Sequence, residues 1–292
     1  MKVKKMSVKT KNNTNKLNTF TELEGYDHYL ALDWSKDIFS LARVTQKSKI
    51  PKWFSGPAKI DLLIKRLEKL RGKKILTIEE TTSTHWLYVE LREYADKIVV
   101  CDPYRNKLLN EGAKTDDIDA GKLCILLRGG FLKEVYHSMM HEEYMIRKLI
   151  SSYEDLIKAG VRVKNQKSAI YRAQGKIYKK EELTNNNEIL EFIIRQQNEA
   201  IEYYEKEKSR YEKEFQKIRK RIPIIEKMCK ISGLNTITAV QIYGIVIDAN
   251  RFSNKYKYWG YCGLATHQKT SGKRNYGKRK IRSSRKLKSI YF

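Results

Sequence analysis

The chain is poor in the residues that would place it in several common protein classes. It has four cysteines in 292 residues (Cys101, Cys124, Cys229 and Cys262). None forms a CxxC pair or a metal-ligand spacing, which excludes a zinc finger and a disulfide scaffold. Only four prolines occur, and no low-complexity linker interrupts the chain. No stretch approaches the roughly 18–20 apolar residues that span a bilayer; the longest, 236–247, is broken by Gln241 and Gly244. The start, MKVKKMSVKTKNNTNKLN, has basic residues with no apolar core after them, so it reads as a flexible basic arm rather than a secretory signal. Among the charged residues, acids are the minority. There are 34 Asp and Glu against 60 Lys and Arg, a formal charge of +26. That excess points to a polyanion partner, most simply nucleic acid, with an anionic membrane surface as the rival.

What is present falls into segments. Over residues 28–135, strand-like and helix-like patterns alternate. His28–Leu32, Ile38–Val44 and Lys52–Ser55 read as three strands in a hairpin-like set. Pro57 sits where a helix could begin, and Ile60, Leu62, Leu63, Leu67 and Leu70 recur at helical spacing. Lys74–Ile78 is strand-like, Trp86–Tyr94 helical and Ile98–Cys101 a buried-type strand. Pro103 opens a further helical stretch through Leu127, interrupted near Gly112. This order predicts a mixed α/β sheet of ribonuclease-H-like architecture.

Residues 140–222 lack proline and strand signals. Leu190, Ile194, Ile201, Tyr204, Tyr211, Phe215, Ile218 and Ile222 step by fours and threes, with Gln197 and Lys208 filling the two gaps. That is a heptad seam. Residues 142–178 form a partner helix carrying Ile146, Leu149, Tyr153, Leu156 and Ile157. The stripe fits an intramolecular hairpin and an intermolecular coiled coil equally. Pro223 breaks the long helix. The segment from Cys229 to Val240 then reads as a helix–hairpin–helix or a simple packing turn. Residues 267–292 hold ten Lys or Arg and no acid, with Tyr276, Tyr291 and Phe292 interleaved. Lys269, Lys273, Arg274, Lys278, Arg279, Lys280, Arg282 and Arg285 are the expected nucleic-acid contacts. The expected domains are an arm (1–26), the α/β domain (27–137), a helical coiled-coil region (138–222) and a small, mostly helical C-terminal domain (223–292).

Against the basic background a few acids stand out. Asp33 closes the first strand and Glu79 a later one, and strand ends of an α/β sheet converge on one crevice. In Lys114-Thr-Asp116-Asp-Ile-Asp119-Ala, spacing of three puts Asp116 and Asp119 on one helical face, while Asp117 points elsewhere. Four carboxylates in one place repel unless divalent cations neutralise them. Oxygen donors favour Mg²⁺ or Mn²⁺, the usual machinery of phosphodiester cleavage. Read singly, Asp33, Asp116 and Asp119 are equally good turn or helix caps.

Three pieces, Leu30-Ala-Leu-Asp33-Trp-Ser-Lys, Ile78-Glu79-Glu-Thr-Thr and Lys114-Thr-Asp116-Asp-Ile-Asp119-Ala, resemble the four-carboxylate (DEDD) transposases of bacterial and archaeal insertion sequences, the family that includes the pilin-gene invertases. The resemblance continues through Ile231-Ser-Gly-Leu-Asn-Thr-Ile-Thr-Ala, Phe252-Ser-Asn, Tyr261-Cys-Gly-Leu-Ala and Thr270-Ser271-Gly272-Lys. It implies a RuvC-like domain, a coiled-coil region and a C-terminal transposase domain. It implies cutting and rejoining of DNA by a serine nucleophile, here Ser271, with Asp33, Glu79, Asp116 and Asp119 as catalytic metal ligands. It further implies a structured guide RNA from the same element, element-end and target DNA as partners, and homo-oligomers (dimer or tetramer) with composite sites. A cytoplasmic, nucleoid-associated location in a prokaryote is the matching expectation. The sequence departs from the family after Glu79, where Glu80-Thr-Thr-Ser lacks the usual glycine and offers Glu80 as a competing ligand. The family also continues into further helices past its basic stretch, so a truncated C-terminus is one expectation. The alternatives are a junction-resolving nuclease that uses water and a catalytically inactive nucleic-acid-binding remnant.

Overall fold

A computed structural model describes residues 23–102, 116–138, 140–178, 180, 187–272, 274–280 and 283–292. The chain divides into two compact units, one ending at residue 139 and the other starting at residue 140.

The first unit is a five-stranded sheet. Strands β1 (His28–Trp34), β2 (Ile38–Thr45), β3 (Lys52–Pro57), β4 (Lys74–Glu79) and β5 (Lys97–Cys101) lie in the order β3-β2-β1-β4-β5. β1 pairs antiparallel with β2 and parallel with β4, and β4 pairs parallel with β5. Side chains alternate between faces. Leu30, Leu32, Phe39, Leu41, Leu76 and Ile78 cover one face and pack against α1 (Ile60–Glu68) and α2 (Thr84–Leu91) through Leu63, Leu67, Leu87 and Leu91. Tyr29, Ala31, Ala42, Val44, Ile75, Val99 and Cys101 cover the other and meet α3 (Asp116–Arg128) at Ala120, Leu123, Cys124 and Leu127. Cys124 serves here as a small hydrophobe, and burial pushes its thiol up to about 12. α1 does not begin at Pro57. That residue ends the edge strand β3, paired with Ile38, and the helix starts at Ile60. An edge strand tolerates a residue that cannot donate to the ladder. Residues 103–115, expected to be helical, lie outside the described residues.

The second unit is built on two long helices, α4 (His141–Ala173) and α5 (Glu188–Arg221). They run antiparallel. Glu142 meets Arg221 at 2.8 Å near one end, Ser152 meets Tyr211 at 2.6 Å in the middle, and Lys164 meets Glu205 at 2.5 Å further along. The heptad seam of α5 therefore faces α4 of the same chain, the intramolecular reading of the stripe. Tyr153 packs edge-on against Phe215 with ring centroids 5.1 Å apart. This core also takes in Ile225 of α6 (Pro223–Met228) and Ala239 and Val240 of α7 (Thr236–Val246). The hairpin and the segment past residue 223, which the sequence separates at 222/223, thus share one hydrophobic cluster. Pro223 stands at the first turn of α6, where its missing N–H costs nothing. Asn235 and Thr238 form a reciprocal capping box at the start of α7. A smaller cluster joins α7 to α8 (Lys255–Cys262) and α9 (Arg285–Tyr291) through Ile242, Val246, Cys262 and Leu287.

The acid-free tail is more structured than a mostly helical reading suggests. Residues β6 (Thr266–Ser271) and β7 (Arg274–Lys280) form an exposed antiparallel ribbon. Its register shifts between Gln268 and Thr270, and Gly277 sits opposite with φ 78°. That is a glycine bulge, at a backbone angle other residues rarely adopt. Among the described residues, no helix is long and apolar enough to cross a membrane.

Candidate active site

Asp33 and Glu79 are carried to one sheet edge by the strands that end there. Leu32 pairs with Ile78 in parallel register, so the next residues, Asp33 and Glu79, stand side by side at the C-terminal ends of β1 and β4. Both continue the face covered by α3: Asp33 follows Tyr29 and Ala31 in alternation, and Glu79 follows Ile75 and buried Thr77. Glu79 is half-buried. Burial raises its proton affinity above the ordinary carboxylate range, and the charges of Asp33 and then Asp119 raise it further. Glu80 is exposed instead, its N–H donating to the Cys101 carbonyl at 3.0 Å. The run after Glu79 is held without the family's glycine. The Thr84 hydroxyl donates to the Glu79 carbonyl at 2.9 Å and accepts the Thr81 N–H at 2.6 Å.

α3 supplies the remaining acids. Its buried stripe, Ala120, Leu123, Cys124 and Leu127, lies on the sheet, and Asp117 and Asp119 occupy opposite flanks of that stripe. Asp119 is the one whose charge reaches Glu79. Asp117 is turned to β2 and β3. It accepts hydrogen bonds from the hydroxyls of Ser40 at 2.5 Å and Ser55 at 2.8 Å, which hold its carboxyl below the ordinary range. The Trp53 indole N–H donates to the Asp117 carbonyl at 2.6 Å. A Cβ at Gly121 would come within 3.1 Å of that indole, so the glycine lets the ring lie close to the helix. Asp117 is therefore an anchor that fixes the acid-bearing end of α3 over the sheet. Ser40, Ser55 and Trp53 were invisible as its partners, because they lie more than sixty residues away in sequence.

Asp116 opens α3, and its side chain lies outside the described residues. Among the described residues, no three His, Cys, Asp or Glu side chains are grouped tightly enough to hold a metal ion. The donor chemistry nevertheless fits a hard cation. Asp33, Glu79 and Asp119 offer only oxygen, and their mutual repulsion, expressed in Glu79, is what a divalent ion relieves.

Ser271 belongs to the second unit. It ends β6, exposed, directly across from Arg274, so both side chains leave the same face of the ribbon. Lys269 and Arg274 lie over the Tyr276 ring at 5.8 and 5.4 Å. Lys278 pairs with Gln268 and Arg279 with His267, while Lys280 closes β7 opposite Thr266. Arg285 begins α9. Lys273 and Arg282 lie outside the described residues. The ribbon thus brings Ser271 together with Lys269, Arg274 and Tyr276.

Residues 226–292 match the family described as Transposase IS116/IS110/IS902 family. Over these residues, less than a quarter of the chain, it is similar to insertion-sequence transposases. The matched segment contains α7, α8, the ribbon with Ser271, and α9. The two acid-bearing strands and α3 lie outside the matched residues. A search of curated proteins finds no match to the chain.

Proposed function

We propose that the protein is a DNA transposase/recombinase that cuts and rejoins element and target DNA through Ser271, assisted by an Mg²⁺ or Mn²⁺ site of Asp33, Glu79, Asp116 and Asp119. The observation that carries this reading is the gathering of Asp33, Glu79 and Asp119 at one sheet edge in a chain that also bears a transposase domain. The strand order β3-β2-β1-β4-β5 supports reading the first unit as ribonuclease-H-like, of the RuvC type. When bound, the ion would neutralise charge on the attacked phosphate. The Ser271 oxygen bonds to phosphorus as the bond to the leaving strand's oxygen breaks. The hydroxyl proton is given up, and the leaving oxygen takes one. The phosphoserine so formed retains the energy of the broken ester, and the reverse attack rejoins DNA without an outside energy source. Arg274, paired with Ser271 across the ribbon, and Lys269 would supply positive charge on the same face.

The proposal includes a structured guide RNA from the element, in keeping with the +26 charge, and a homo-oligomer, dimer or tetramer. Because α4 occupies the heptad seam of α5, oligomer contacts in this reading use other surfaces. The carboxylate site is tested by incubating Asp33→Asn and Asp119→Asn with element-end DNA, cognate RNA and Mg²⁺. Cleavage is expected to fall at least 100-fold, with nucleic-acid affinity nearly unchanged because binding rests on Lys and Arg. Full cleavage by both variants contradicts the metal assignment.

A further inference from the structure

Residues 249–292 contain thirteen Lys or Arg and no Asp or Glu. Within that stretch α8 holds aromatic residues with two fates. Tyr258 and Tyr261 turn inward, packing on Phe252, and the Tyr258 hydroxyl meets that of Tyr291 at 2.6 Å. Tyr256 and Trp259, three residues apart and so on one helical face, turn outward. Tyr256 is 64% exposed and Trp259 42%. Their rings meet edge to face with centroids 5.4 Å apart, and the Lys255 ammonium lies 5.4 Å from the first and 5.7 Å from the second. The helix start is itself fixed, since the Asn254 side chain accepts the Lys257 N–H at 3.1 Å. Leu264, 40% exposed, follows the helix.

A large aromatic pair left in water costs hydration free energy that a core position would recover. Here the two rings lie edge to face with a cation beside both. Their composition setting repels other cations and attracts phosphates. An aromatic face with a lysine at its edge matches one chemistry closely, an unpaired nucleobase on the ring with its backbone phosphate on the ammonium. Paired bases cannot use it, because their faces are already stacked. We infer that Tyr256, Trp259 and Lys255 form a stacking platform for single-stranded nucleic acid, separate from Ser271 and independent of its chemistry. The strand can come from an RNA loop or from melted DNA, since both present the same base and phosphate.

The test measures binding of the full chain to fluorescent twelve-nucleotide strands of RNA and DNA. Each is compared with an abasic strand of equal charge and with a duplex. The wild type is expected to bind the base-bearing strand more tightly than the abasic one. Trp259→Ala is expected to weaken binding to base-bearing strands about tenfold, while abasic and duplex affinities and the salt dependence stay as they were, because the phosphate contacts persist. Trp259→Phe should retain most of the base preference, and an unchanged circular dichroism spectrum excludes unfolding. A preference shown only by the RNA or only by the DNA strand supports the platform and names its source. No base preference in the wild type, or equal weakening on abasic strands, overturns it. A change in oligomer mass in Trp259→Ala with unchanged strand binding also overturns it, in favour of a protein contact.

Discussion

Asp117 shows how a residue inside a cluster of acids can be structural. Its carboxylate sits between two serine hydroxyls, and one of them, Ser40, is buried. Removing the acceptor leaves that buried hydroxyl only its longer contact to the Ser55 hydroxyl, at 3.4 Å, which costs more than the net worth of a surface hydrogen bond. Asp117→Ala is therefore expected to lower unfolding free energy by about 1–2 kcal/mol, measured by chemical denaturation at neutral pH, with nucleic-acid affinity unaffected. Glu79 is the opposite case. Burial disfavours its charge, and the charges of Asp33 and Asp119 oppose it further. The sequence made Asp33, Glu79 and Asp119 legible because each falls at a position where periodicity ends or a helix starts. It could equally distinguish Asp117 by helical angle. It could not supply Asp117's partners, which depend on strand pairings that bring distant residues together.

At the scale of elements, alternation and heptad spacing gave the strands of the first unit to within two residues and both long helices, although the helix expected over 142–178 ends at Ala173. They left open whether the α5 seam meets its own chain. The deciding features are side-chain contacts with no sequence signature, such as Ser152 with Tyr211 and Lys164 with Glu205. Gly160 of α4 lies directly against the Tyr204 ring of α5. A Cβ there would lie 2.3 Å from the Tyr204 ring. In an open helix Gly→Ala stabilises by about 1 kcal/mol. At this crossing the sign is expected to reverse, with Gly160→Ala destabilising by about 1–3 kcal/mol through overpacking. A lowered thermal midpoint for Gly160→Ala, restored in part by Tyr204→Leu in the double variant, is the measurement that checks it. The β6–β7 ribbon escaped the sequence because its strands are polar on both faces. Neither carries the apolar alternation that betrays a strand packed on a core.

At the scale of the whole molecule, the uneven distribution of charge is the organising feature. The acid-free C-terminal stretch lies in the segment similar to insertion-sequence transposases and carries an exposed cationic ribbon with a serine at the end of its first strand. The acids proposed as metal ligands belong to the other unit, at the ends of β1 and β4 and at the start of α3. Such a division suits an enzyme that holds a polyanion with one part and works on its phosphates with carboxylates that would repel it unaided. The central claim is that the serine becomes joined to DNA. The most direct measurement is denaturing electrophoresis of the protein after incubation with end-labelled element DNA, cognate RNA and Mg²⁺. The expected result is a labelled band of protein covalently bound to DNA that disappears in Ser271→Ala. Cleaved DNA ends free of protein, formed equally by wild type and Ser271→Ala, would contradict it and assign the attack to water.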